Sequence, residues 1–138
     1  MGAFCFFYGR TAGAGGKMKI PVKVRYRLWL ECGEEYVFGN GVCALLLGVD
    51  RLGSLKKAAE SLNMPYRGAW GRIHKAEEAL GMALLDRPSD RQKGVTLTED
   101  GRRFVEFFQS LDRLCRGHIE KSLAELPLEC LEIDGVGH

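Results

Sequence analysis

Apolar and polar residues alternate cleanly from Val22 to Leu30. Val22, Val24, Tyr26, Leu28 and Leu30 fall on one side and Lys23, Arg25, Arg27 and Trp29 on the other, which predicts a half-buried strand. Cys32-Gly33-Glu34 turns the chain, and Glu35 to Phe38 returns as a second short strand, so an N-terminal β-hairpin is expected. The period then changes. Val42, Leu45, Leu46 and Val49 form one stripe of a helix running from Asn40, its expected cap, to about Arg51, with Gly53 as the stop. Ser54 caps a short second helix whose Leu55, Ala58, Ala59 and Leu62 face inward. The paired alanines are small enough to let another helix come close.

Asn63-Met64-Pro65 is a tight break, and Pro65 suits the first position of a third helix because it has no N–H to satisfy there. This helix runs to Leu80 and ends at Gly81. Ala69, Ile73, Ala76 and Leu80 share its core face; Arg67, Gly71, His74 and Glu78 lie opposite, with Trp70 on the flank. Ala83-Leu84-Leu85 and Val95-Thr96-Leu97 read as two short strands around the polar loop Pro88 to Gly94. Thr98 caps a last helix reaching about Leu126, roughly 40 Å long, and Pro127 ends it. Along it Phe104, Phe108, Leu111, Cys115 and His118 recur at spacings of four and three, a near-heptad pattern that fits helix pairing between two chains.

The expected organisation is a flexible tail over residues 1–19, one domain over 20–126 and a loose tail over 127–138. The glycine-rich run Thr11–Gly16 marks the first tail, and Met18 is a candidate natural start. Two short helices joined by a break, a two-stranded loop and a long final helix give a fold that is mainly α with small β elements. This is a winged helix-turn-helix with an N-terminal β-hairpin and a long C-terminal dimerisation helix.

Composition narrows the function by exclusion. The net charge of +2 over 138 residues carries no global basic signature, so a nucleic-acid reading depends on where the cations sit. They gather on the third helix (Arg67, Arg72, His74, Lys75) and in the wing (Arg87, Arg91, Lys93), while Gly68 and Gly71 leave room for close approach to a groove. Pro65, Tyr66 and Arg67 sit at that helix's N-terminus, whose free N–H groups suit phosphates. The longest apolar stretch, Val42 to Val49, is too short to span a bilayer, so no membrane partner is expected and a cytoplasmic location follows by default. The five cysteines form no C-x-x-C and no zinc-like spacing, which fits reduced thiols. The alternative for them is a thiol or metal switch at Cys115 or Cys130. His74, His118 and His138 have no catalytic neighbours in a recognised arrangement, so no enzyme, cofactor or metal is expected.

From Gly53 to Val105 the chain resembles the DNA-binding domain of LysR-type regulators. The resemblance rests on G-S-L-K-K-A-A-E-S-L, then Ile73, Glu77 and Leu80-Gly81, then A-L-L-D-R and L-T-E-D-G. Within that group, M-P-Y-R-G-A-W-G-R-I (Met64–Ile73) is similar to the signature of molybdate-responsive ModE-type regulators, and R-L-W-L-E and V-F-G-N-G before it fit as well. The resemblance implies sequence-specific binding of double-stranded DNA by a homodimer. It sets Tyr66, Arg67 and Trp70 against DNA, Ser54 near a phosphate, and Arg87, Arg91 and Lys93 over the flanking backbone; Pro65, Gly71 and His74 join the candidate DNA surface from their places on the third helix. The wing, P-S-D-R-Q-K-G, departs from the glycine-rich ModE pattern. The chain also stops after the long helix where ModE regulators continue into oxyanion-binding domains, so no direct molybdate or tungstate binding is expected.

Several positions keep two readings from the residues alone. Trp70 borders the apolar stripe and suits either core or DNA. Tyr66 either plugs the turn or reads a base, and His74 is either a solvated side chain or a base reader. The whole domain also admits a rival role as a protein-interaction module that pairs with another regulator.

Overall fold

The computed structural model describes residues 18–126 and 128–135. The apolar stripes become three helices around one core. They are α1 (Asn40–Leu52), α2 (Leu55–Ser61) and α3 (Tyr66–Leu80). Val42, Leu45, Leu46 and Val49 of α1, Ala58 and Ala59 of α2, and Ala69, Ile73 and Ala76 of α3 are all buried. The close approach of α1 and α2 depends on small residues from both sides: a Cβ on Gly48 would lie 2.8 Å from the Ala58 Cβ. Leu62, expected inside, is 39% exposed because α2 ends at Ser61 and the chain turns away. Asn63 makes that turn with φ of 53°, a left-handed conformation that asparagine tolerates better than most residues.

Capping follows the sequence in part. Ser54 Oγ accepts from Lys57 N at 3.3 Å, and Thr98 Oγ1 accepts from Gly101 N at 2.9 Å. Asn40 is instead the first helical residue of α1, and Gly39 occupies the cap with no side-chain bond. Pro65 is likewise the cap of α3, one place before the position expected for it. Gly53 and Gly81 end α1 and α3 in the left-handed conformation.

The strands depart most from the sequence reading. The alternating segment is two strands, β1 (Met18–Tyr26) and β2 (Trp29–Cys32), interrupted at Arg27 and Leu28. Only β2 forms the hairpin, pairing antiparallel with β3 (Glu35–Gly39). β1 pairs in parallel with β6 (Leu128–Gly135), in the segment expected as a loose tail. The expected N-terminal tail also ends earlier, since Met18 and Lys19 belong to β1; residues 1–17 lie outside the described residues. The wing strands β4 (Leu85–Asp86) and β5 (Thr96–Leu97) pair antiparallel around a single 3₁₀ turn at Arg91–Lys93.

The last helix, α4 (Glu99–Glu125), spans 27 residues. Its first half closes the core: Phe108 is 1% exposed, with its ring centroid 5.4 Å from that of Phe38, and Phe104 packs on Phe38 at 5.8 Å. Phe104 and Phe108 therefore belong to the chain's own core rather than to a seam between chains. The second half of α4 carries the β1–β6 ribbon. Tyr26 Oη donates to Asp112 Oδ1 at 2.8 Å, and Arg116 Nη1 donates to the Ile133 carbonyl at 3.2 Å.

Candidate nucleic-acid interface

Helix α3 follows the α2 turn and presents four different sides. One side is buried. A second faces the wing through Tyr66 and Glu77, and a third faces the hairpin through Lys75, whose Nζ lies 2.9 Å from Glu35 Oε2. Lys75 is thus committed to the hairpin rather than to the outward stripe. Arg72 lies near Tyr36 of β3, whose buried hydroxyl has no hydrogen-bond partner. Burial pushes the Tyr36 phenol up from its ordinary value, with the Arg72 charge opposing.

The fourth side carries Arg67, Gly71, His74 and Glu78, with Trp70 beside them. Tyr66 is 50% exposed and Trp70 43% exposed. That exposure excludes a core role for Trp70. Its indole instead stacks on the His74 imidazole, with centroids 4.6 Å apart and planes 18° from parallel. His74 Nε2 in turn lies 3.3 Å from Glu78 Oε1, one turn along. A Cβ on Gly71 would meet nothing within 4 Å, so this part of the stripe is open to approach. The N-terminus of α3 carries no side-chain cap, which leaves its first N–H groups available.

Glu77 ties this helix to the wing. Its Oε1 accepts from Leu84 N at 2.9 Å and Leu85 N at 3.1 Å, and its Oε2 lies 3.4 Å from Arg87 Nη1. Arg87 is consequently held at the rim of the wing, half-exposed. The other end of the wing is pinned to the α1–α2 turn, where Val95 N donates to the Gly53 carbonyl at 3.0 Å. Between wing and helices runs an open groove of about 420 Å³, lined by Leu55, Tyr66, Arg87, Pro88, Asp90, Gly94 and Val95.

The structure therefore brings Tyr66 and Arg87 to one groove and sets Arg67, Trp70, Gly71 and His74 on the adjoining helix face. Pro65 stands at the head of that helix, and Ser54 lies at the foot of α2, where its hydroxyl is used as a cap. Lys93 is exposed in the wing turn; the Arg91 side chain lies outside the described residues. Of the positions assigned to a seam on α4, Leu111 and Cys115 are half-buried and His118 is exposed. Sequence reasoning missed the anchoring role of Glu77, which was visible only as one member of a spaced motif. Phe107 and Leu114 on α4 are 56% and 71% exposed. Among the described residues there is no grouping of side chains suited to a metal ion, and no helix is long and apolar enough to cross a membrane.

Residues 43–102, from α1 through the wing into α4, match the family model of the bacterial regulatory helix-turn-helix protein, lysR family. Among solved structures the chain is similar to VV2_1132, a LysR family transcriptional regulator, with 26% identity and a TM-score of 0.50 over 64% of this chain and 30% of that one. It is also similar to the CbnR DBD in a DNA complex, at 23% identity and a TM-score of 0.52, covering 64% of this chain and 98% of that one. The BenM DBD bound to benA site 1 DNA gives 22% identity and a TM-score of 0.52, covering 64% and 100%. The last two likenesses speak for the fold, a winged helix-turn-helix. This chain spans about 30% of the length of VV2_1132. No curated protein matches this sequence.

Proposed function

We propose that the chain is a sequence-specific DNA-binding transcriptional regulator that inserts α3 into the major groove and lays its wing along the flanking backbone. The observation that carries this reading is the exposed face of α3. Two large aromatic side chains, Tyr66 and Trp70, stand in solvent beside Arg67 and His74, next to an uncapped helix end. A surface helix with only a structural role gains nothing from exposing them, whereas a groove-reading helix uses its N-terminal residues in this way. Exposed Arg87 and Lys93 supply cations in the wing that suit flanking phosphates. The ModE-type likeness is the finer part of the proposal and rests on Met64–Ile73 and the segments around it. No effector-binding role is assigned to this chain.

We further propose a homodimer through α4, with a seam different from the one the spacing suggested. Phe107 and Leu114 stand one heptad apart on the exposed side of α4, with half-buried Leu111 between them. A two-fold pairing there would carry two copies of α3 to successive half-sites.

Selection of bound fragments from the parent genome tests the reading. Enrichment of a shared sequence is expected, and Arg67→Ala should weaken binding to it by about 1–3 kcal/mol. Recovery of fragments with no shared sequence would contradict it.

A further inference from the structure

We propose that Trp70 reads the 5-methyl group of one pyrimidine, thymine in unmodified DNA, through an apolar contact in the major groove. The inference rests on α3 being the groove-reading element and adds the chemistry of one position. Three observations converge on this side chain. Trp70 is the fifth residue of α3, one turn beyond Tyr66 and Arg67 at its head, and 43% of it stands in solvent. Its ring is held in place: the indole stacks on His74, and His74 lies 3.3 Å from Glu78 Oε1 one turn further along. Gly71 beside it carries no side chain, and a Cβ there would meet nothing within 4 Å, so a base edge can come close to the indole.

The chemistry of the groove decides what such a ring reads. An indole has one N–H donor and no acceptor, and the rest of it is apolar. Hydrogen-bonding groups line the major-groove edges of all four bases, and the one apolar group among them is the C5 methyl of thymine. Over a guanine–cytosine edge the ring would take water from polar atoms without replacing their hydrogen bonds, which costs binding energy. Over thymine it covers a methyl that water solvates poorly, and both surfaces gain. Every A·T pair carries one such methyl and no G·C pair carries any, so the contact separates the two classes of pair. Phosphates call for charge, which Arg67 on α3 and Arg87 and Lys93 in the wing supply. Because stacking already holds the indole, little side-chain freedom is lost on contact. Burial of one methyl group corresponds to roughly fourfold in affinity.

Base analogues with the full chain test the proposal. A duplex is first selected from a randomised pool by the wild type. Each of its thymines is then replaced in turn by deoxyuridine, which removes the methyl and leaves every hydrogen-bonding group in place. At one thymine the wild type should lose roughly fourfold in affinity. Trp70→Ala and Trp70→Gln, changes at an exposed position outside the core, should bind the thymine and deoxyuridine duplexes alike. Placing a C·G pair at that position should weaken the wild type, and 5-methylcytosine in the pair should recover roughly the same factor, again only with Trp70 present. Deoxyuridine tolerated at every thymine, a loss of equal size in both variants, a 5-methylcytosine that recovers nothing, or a selected site without thymine would each overturn the inference while leaving sequence-specific binding intact. A wild type that selects no sequence at all would overturn the DNA-binding reading, and this inference with it.

Discussion

Glu77 holds the candidate interface in shape with a single carboxylate. One of its oxygens receives two backbone N–H groups from the start of the wing and the other faces Arg87, so α3 and the wing are fixed relative to each other through one largely buried side chain. Replacing it by alanine leaves the Leu84 and Leu85 amides without their acceptor. Such Glu77→Ala protein should lose about 2–4 kcal/mol in chemical denaturation, in the range for charge-assisted bonds to buried donors; an unchanged midpoint would remove Glu77 from this role. Cys43 gives a pH-dependent counterpart. Burial, with Asp112 adding to it, pushes its thiol up from 9.0 to about 11. The folded chain thus keeps a proton that the unfolded chain has lost. The resulting stability is whole below pH 9.0 and disappears as the pH rises through about 11. Denaturation midpoints should fall across that window in the wild type and fall less in Cys43→Ala. Residue roles of this kind were unevenly legible. The caps at Ser54 and Thr98 follow from local rules, and so does the outward stripe of α3. The Glu77 clasp does not, because it joins a helix to strand amides whose position only the folded wing determines.

Among the elements, the helices, the hairpin and the wing were readable, and the β1–β6 pairing was not. A helix stabilises itself through neighbours three and four residues away, so the stripes of α1, α3 and α4 carry their own evidence. The partner of β1 lies at the far end of the chain, and no turn signal links the two. Their register sets Met18 opposite Leu128 and Tyr26 opposite Gly135, a pairing that only the folded chain reveals. Pro21 falls in the register shift between Ile20 and Lys23, where its missing N–H removes no regular ladder bond. The junction of α4 with the wing is tighter. A Cβ on Gly101 would collide with the Leu84 carbonyl oxygen, and Thr98 Oγ1, which donates to the Ala83 carbonyl at 2.7 Å, stands beside it. Gly101→Ala should therefore lower stability by about 1–3 kcal/mol in thermal or chemical unfolding, although alanine is the better helix former. A stabilised variant would show that α4 and the wing can separate at no cost.

For the whole molecule, the division of α4 decides what kind of assembly is possible. Phe104 and Phe108 close the core of one chain, and the later turns support the β1–β6 ribbon, while Phe107 and Leu114 stay exposed, the face used in the proposed dimer. The regular spacing of apolar residues identified α4 as amphipathic. It did not separate the inward from the outward stripe, because that depends on where Phe38 sits. In sedimentation at micromolar concentration the wild type should run as a dimer and the double variant Phe107→Glu, Leu114→Glu as a folded monomer. A monomeric wild type would contradict the dimer.

The central claim is that the exposed face of α3 and the cations of the wing meet a DNA backbone and groove. Its most direct test is the affinity of the full chain for its selected duplex, measured by fluorescence anisotropy across a series of salt concentrations. The logarithm of the association constant should fall linearly with the logarithm of salt, by about 0.9 for each phosphate neutralised, giving a slope of several units. An affinity indifferent to salt, or none at any concentration, would contradict the account and favour a role in binding another protein.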